Sequence, residues 1–113
     1  MPDDRKSDRI VGKKIRFTWD EGPTQGETHE HAFNADGSVD YQKVGPGAPT
    51  GKPTHEKKYG AVKVTDDIYV VSYLGAAGYT LTVVLNFDDH RIAGFASNDK
   101  QWFPVKGTFE EVK

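Results

Sequence analysis

Seven turn clusters punctuate the chain at short intervals, and nothing between them carries the period of a helix. The clusters are "DEGPTQG" (20–26), "NADG" (34–37), "GPGAPTGKP" (45–53), "TDD" (65–67), "GAAG" (75–78), "DDH" (88–90) and "SNDK" (97–100), built from the residues that favour tight turns. The segments they leave are 13–19, 27–34, 38–44, 58–65, 67–74, 78–87, 90–97 and 102–112; they are short, β-branched or aromatic, and mostly alternating, as strands are. "YTLTVVLNF" is rich in Thr and Val and keeps period two, so it reads as a strand covered on both faces. Consecutive short strands without crossover helices predict an all-β fold, a small antiparallel up-and-down barrel of about eight strands or else a sandwich. A closed barrel of that size holds either its own side chains or one small ligand.

A length of 113 residues sets one domain as the expectation. Residues 1–9, "MPDDRKSDR", are charged and have the composition of a flexible terminus, which leaves 10–113 for the barrel. They do not read as a secretory signal, and no window has the apolar length of a membrane span, so a cytoplasmic protein without a membrane partner is expected. The net charge of −2 offers no broad basic field, which argues against nucleic acid. Without cysteine, disulfides, thiolate-bound zinc and a cysteine nucleophile are excluded. The loop 45–58, rich in Gly and Pro, is too long for a hairpin turn and reads either as a flap over one barrel end or as a surface insertion.

Candidate site residues come from spacing. In "IRFTWDEG", Ile15, Phe17 and Trp19 share one face of a strand. His29 and His31 in "THEHAF" lie two apart and share a face with Phe33. Such a pair invites a metal reading, but the residues after it, "AFNAD", supply no further ligand, so no metal or cofactor is expected. In "IYVVSY" both faces are apolar, and the inward face stays open between Tyr69, Val71 and Tyr73 and the alternate set. Facing in, the tyrosines orient a ligand; facing out, they form a subunit interface. Asp66 and Asp67 read either as a turn or as a place for one acid at the barrel mouth. No serine has the setting of an activated nucleophile, and no glycine pair precedes a helix that would bind phosphate.

The runs "GKKIRFTWDEG", "GETHEHAFNADGSVDYQKVG", "VTDDIYVVSY" and "LTVVLNFDDHRIAGFASN" resemble calycin-type, lipocalin-like barrels, the group that includes phenolic acid decarboxylases and MoaF-like (molybdenum cofactor biosynthesis protein F) proteins. The resemblance covers roughly residues 11–103. It implies a pocket with Phe17 and Trp19 where the decarboxylases hold the substrate carboxylate with two tyrosines, Gln42 in place of their arginine, and Asp66 in place of their proton-donating glutamate. Phe17 has no donor and Trp19 only an indole N–H, while a buried carboxylate needs donors or a cation. Phenolic acid decarboxylation is therefore not expected. The leading expectation is a barrel that binds a small apolar or aromatic molecule, with Phe17, Trp19, His29, His31, Gln42, Tyr69 and Tyr73 around it. The alternatives are a lyase or isomerase using Asp66 as acid or base, and a filled barrel acting through protein contacts, for instance as a homodimer.

Overall fold

The structure is a computed structural model that describes residues 9–45, 48–49, 52–75 and 78–112. Among these there is no helix, and the strands are β1 (Lys13–Glu21), β2 (Thr28–Phe33), β3 (Val39–Gly45), β4 (Ala48–Pro49), β5 (Thr54–Glu56), β6 (Tyr59–Lys63), β7 (Ile68–Leu74), β8 (Thr80–Asn86), β9 (Arg91–Ser97) and β10 (Trp102–Val112). The eight long strands fall in the eight expected segments. β4 and β5 are additional: both lie in the 45–58 loop and exist because β3 offers its edge to each of them. Of that loop, residues 46, 47, 50 and 51 lie outside the described residues, and with them the question of a flap. Residues 1–8 of the expected flexible terminus lie outside them as well.

All pairings are antiparallel, in the order β4-β3-β2-β1-β10-β9-β8-β7-β6 with β5 beside β3. The chain thus runs up and down around a nearly closed barrel. At the seam Tyr59 donates its N–H to the Gly37 carbonyl at 3.0 Å and its hydroxyl to the Asn34 carbonyl at 3.2 Å.

Alternation decides what goes inside. Ile15, Phe17 and Trp19 of β1 are buried while their neighbours Arg16 and Thr18 are not. The open register of β7 is resolved the same way: Tyr69, Val71 and Tyr73 are buried at 1%, 1% and 8% exposure. Phe33 of β2, Val39 of β3, Val83 and Leu85 of β8, Ile92 of β9, and Val105 and Phe109 of β10 join them in the core, with Ile10 and Phe87 from the flanking turns. Each fully buried aliphatic or aromatic side chain contributes about 1.5–3 kcal/mol.

One end of the barrel is stoppered. Ile10 is fully buried there, held by Lys13 N–H to the Ile10 carbonyl at 3.0 Å and Gly12 N–H to the Phe33 carbonyl at 2.7 Å. Arg9 lies over the Phe87 ring at 4.7 Å and pairs with Asp67 at 3.5 Å, a cation–π contact on top of an ion pair. At the barrel's waist, Gly94 and Gly107 occupy inward-facing positions of β9 and β10, one pairing with Val105 and the other with Trp19. A Cβ at Gly94 would run into the Thr82 carbonyl, and one at Gly107 into the Thr18 carbonyl. Only glycine permits the neighbouring backbones to approach this closely.

Candidate functional site

The other end is hollow, and its wall can be built strand by strand. β1 supplies Trp19, buried at 4% exposure. β2 supplies His29 and His31, and β3 places Tyr41 directly opposite His31. Across the barrel, Tyr73 of β7 pairs with Leu81 of β8, Leu81 with Ala96 of β9, and Ala96 with Phe103 of β10. Together with Val105, and with Pro23, Thr24 and Tyr79 from the turns at this end, they enclose a cavity of about 430 Å³. That is within the usual range for a small-molecule site. None of these residues is Asp, Glu, Lys or Arg.

Nearly every ring with a polar atom is tied by a hydrogen bond. The Trp19 indole N–H donates to His29 Nδ1 at 3.0 Å. An indole nitrogen only donates, so Nδ1 accepts and the neutral imidazole carries its proton on Nε2, which faces Glu27 Oε1 at 3.3 Å. Burial is the main cause that lowers the His29 pKa, with Glu27 opposing it. Glu27 also pairs with Lys43 at 3.6 Å. The Tyr41 hydroxyl donates to Glu56 at 2.9 Å, and the Tyr79 hydroxyl accepts from Gln101 at 2.7 Å.

His31 sits deepest. Its Nε2 and the Tyr73 hydroxyl are 2.7 Å apart, and its ring stacks on Phe17 at 4.3 Å and on Tyr41 at 5.3 Å. Complete burial pushes its pKa down to about 3, helped by the neighbouring His29. Burial, with Tyr41 and Glu56 nearby, raises the Tyr73 pKa. Both groups are therefore neutral at pH 7. The other ring nitrogen, His31 Nδ1, is buried and makes no well-formed hydrogen bond among the described residues, although the His29 backbone acts on the ring.

The structure brings together four of the residues that the sequence singles out: Trp19, His29, His31 and Tyr73. It places the other four elsewhere. Phe17 is fully buried beneath the cavity, against His31. Tyr69 is core at the stoppered end, edge-on to Phe87 at 5.4 Å. Gln42 is on the outer face, because it pairs with Glu30, whose carboxylate binds Arg16 outside the barrel; Tyr41, one residue earlier, is the inward one. Asp66 is in the β6–β7 turn at the stoppered end, its side chain 95% exposed and paired with Lys63 at 3.1 Å. Tyr41, Tyr79, Leu81, Ala96, Phe103 and Val105 were not singled out. Their signal was the simple alternation of "YTLTVV" and "FPV", which places 79 and 81, and 103 and 105, in phase with the core.

No cluster of three or more potential metal ligands occurs among the described residues. A larger hollow of about 610 Å³ lies on the outer surface, but Arg16, Glu27, Lys43 and Glu110 line it, and it lacks the apolar character of a ligand site.

The family model of the MoaF N-terminal domain matches residues 4–100. The chain belongs to the MoaF N-terminal domain family. Among solved structures, a protein from Burkholderia vietnamiensis described as a "putative beta-lactamase" is similar, with a TM-score of 0.71 and 21% identity, covering 91% of this chain and 95% of that one. At that identity the likeness is one of fold. No curated protein matches the chain. Among the described residues, no helix is long and apolar enough to cross a membrane.

Proposed function

We propose that this MoaF-family barrel binds a small, neutral, mostly apolar or aromatic molecule in the cavity walled by Trp19, His31, Tyr41, Tyr73 and Phe103. The observation that carries this reading is a cavity of about 430 Å³ lined by aromatic and aliphatic side chains with no ionised residue among them. Such a wall stabilises apolar surface by about 25 cal/mol per Å² removed from water and offers ring faces for offset or edge contacts.

Charge favours a neutral ligand. The wall supplies no cation to an anion, and the nearby carboxylates of Glu27 and Glu56 already engage His29 and Tyr41. Burying an unpaired carboxylate here would cost several kcal/mol. Binding is also favoured over proton-transfer chemistry. A general acid or base works best near the operating pH, whereas His31 is held at about 3 and Tyr73 is shifted upward. Asp66, the carboxylate suggested for that role, is at the opposite end of the barrel.

The test is calorimetric titration with matched neutral and anionic probes, 4-ethylphenol against 4-ethylbenzoate, within a panel of neutral single-ring and two-ring aromatics. Saturable binding of neutral compounds, at least tenfold tighter than of the anion, is expected. An Ala96→Phe variant, which fills the cavity, should abolish it while retaining the circular dichroism spectrum. Failure of every neutral probe, or binding unaffected by Ala96→Phe, would overturn the reading.

A further inference from the structure

The outer surface of the barrel is divided. Over β1, β2 and β3 it carries Lys14, Arg16, Glu30 and Asp40, cross-linked by ion pairs such as Arg16–Glu30 at 2.8 Å. Over β6 to β10 the strand register builds a grid of three rows without charge, bordered by the exposed Arg91 and Lys106. One row runs Val62, Val70, Val84, Ala93 and stops at Lys106. The next runs Ser72, Thr82, Phe95, Pro104, and the third Leu74, Thr80, Ser97, Trp102. Leu74 is 71% exposed, Trp102 65%, Val62 56% and Phe95 50%. Phe95 and Trp102 already touch edge-on at 5.5 Å.

In a chain with 28% charged residues, an uncharged, partly aromatic sheet face of this extent marks an interaction surface. We infer that it is the face through which two copies of this chain pair about a two-fold axis.

Three observations select a second copy as the occupant. A charged partner finds no complementary group on the grid, whereas the same face turned on itself meets neither like charges nor a buried unpaired one. The exposed aromatics are of the kind that anchor interfaces, with Lys106 at the margin of the patch. The area fits as well. Strand spacing of about 4.8 Å and a rise of about 3.3 Å per residue give the grid a footprint of roughly 400 Å². Two such faces bury about 800 Å² in all, in the low range where contacts are weak and transient, so the pair forms reversibly and only at high concentration. An isologous contact uses one patch on both partners.

Sedimentation velocity on the full chain from about 5 to 500 µM tests this. The wild type should move from monomer to dimer mass across the range, and Phe95→Lys should remain a monomer at every concentration with an unchanged circular dichroism spectrum. Thr82 lies at the middle of the grid, so Thr82→Lys and Thr82→Glu should each be monomeric alone and dimeric when mixed, a rescue that a misfolded variant could not give. A wild type that stays monomeric at the highest concentration would overturn the inference, whether the face then proved to bind another protein, a membrane or nothing. So would dimerisation that persists in Phe95→Lys and in both Thr82 variants. Ala96→Phe should leave the dimer intact, which keeps this result separate from that of the cavity.

Discussion

At the stoppered end Phe87 packs edge-on against Tyr69 and Phe109, at 5.4 and 5.0 Å, and Ile10 fills what remains. At the hollow end Trp19, Tyr41, Tyr73, Tyr79 and Phe103 surround about 430 Å³ of space. Aromatic content is similar; what differs is how the rings are held. Phe87 and Phe109 have no polar atom and collapse into contact. Trp19, Tyr41, Tyr73 and Tyr79 are each fastened by a hydrogen bond to His29, Glu56, His31 and Gln101, and a fastened ring cannot turn inward to fill the void without giving up that bond. An aromatic interior becomes a core or a cavity according to where its polar handles are anchored.

The contrast predicts a ranking of effects. The largest belongs to the stoppered end: Phe87→Ala should lower stability by about 3–5 kcal/mol, read from urea unfolding, while the folded fraction binds neutral aromatics as the wild type does. If binding falls with it, the two ends are not independent.

Acid comes next and acts through the hollow end. The folded pKa of His31, about 3, is below its unfolded value of 6.5, so below pH 6.5 the unfolded chain takes up a proton that the folded chain refuses. Stability should fall as pH drops, by up to about 1.4 kcal/mol per unit between roughly 6.5 and 3, and His29 is shifted in the same direction. Urea midpoints at pH 7.5 and 5 should differ accordingly, and His31→Phe should flatten the difference.

A smaller effect is expected from Trp19→Phe. It leaves His29 Nδ1 without its donor, at about 1–2 kcal/mol, and should alter ligand affinity more than Phe87→Ala does. The smallest is Asp66→Asn. An exposed ion pair contributes little, so neither the unfolding midpoint nor ligand affinity should move measurably; a change in affinity would reconnect Asp66 with the cavity.

How far the sequence could reach depended on local rules. The eight long strands were legible because turn residues and alternation are local signals. β4 and β5 were not, since pieces of two and three residues exist only by pairing with β3. Ile15, Phe17 and Trp19 were assigned to one face because their neighbours are polar. The face of β7 was hidden, because Val70 and Leu74 belong to the apolar outer grid and erase the contrast with Tyr69 and Tyr73. Trp19, His29, His31 and Tyr73 emerged from residue type and spacing together. Gln42 came from family resemblance alone, and resemblance chose Asp66 out of the pair Asp66–Asp67. Position along a related chain carries neither the register that turns Gln42 outward nor the height that puts Asp66 at the wrong end. Depth along a strand, the quantity that separates Phe17 from Trp19, is written in how the strands tilt and stagger, which no single segment contains.

The two waist glycines give this architecture a consequence for divergence and redesign. Gly94 and Gly107 set how closely the strands wrap, so curvature is fixed at positions that put no side chain into either the stopper or the cavity. Leu81, Ala96 and Phe103, farther along the same barrel, can then vary in size and shape to suit different guests without renegotiating the frame. A lineage, or a designer, is free to retune the chamber one side chain at a time, provided those two positions never acquire one.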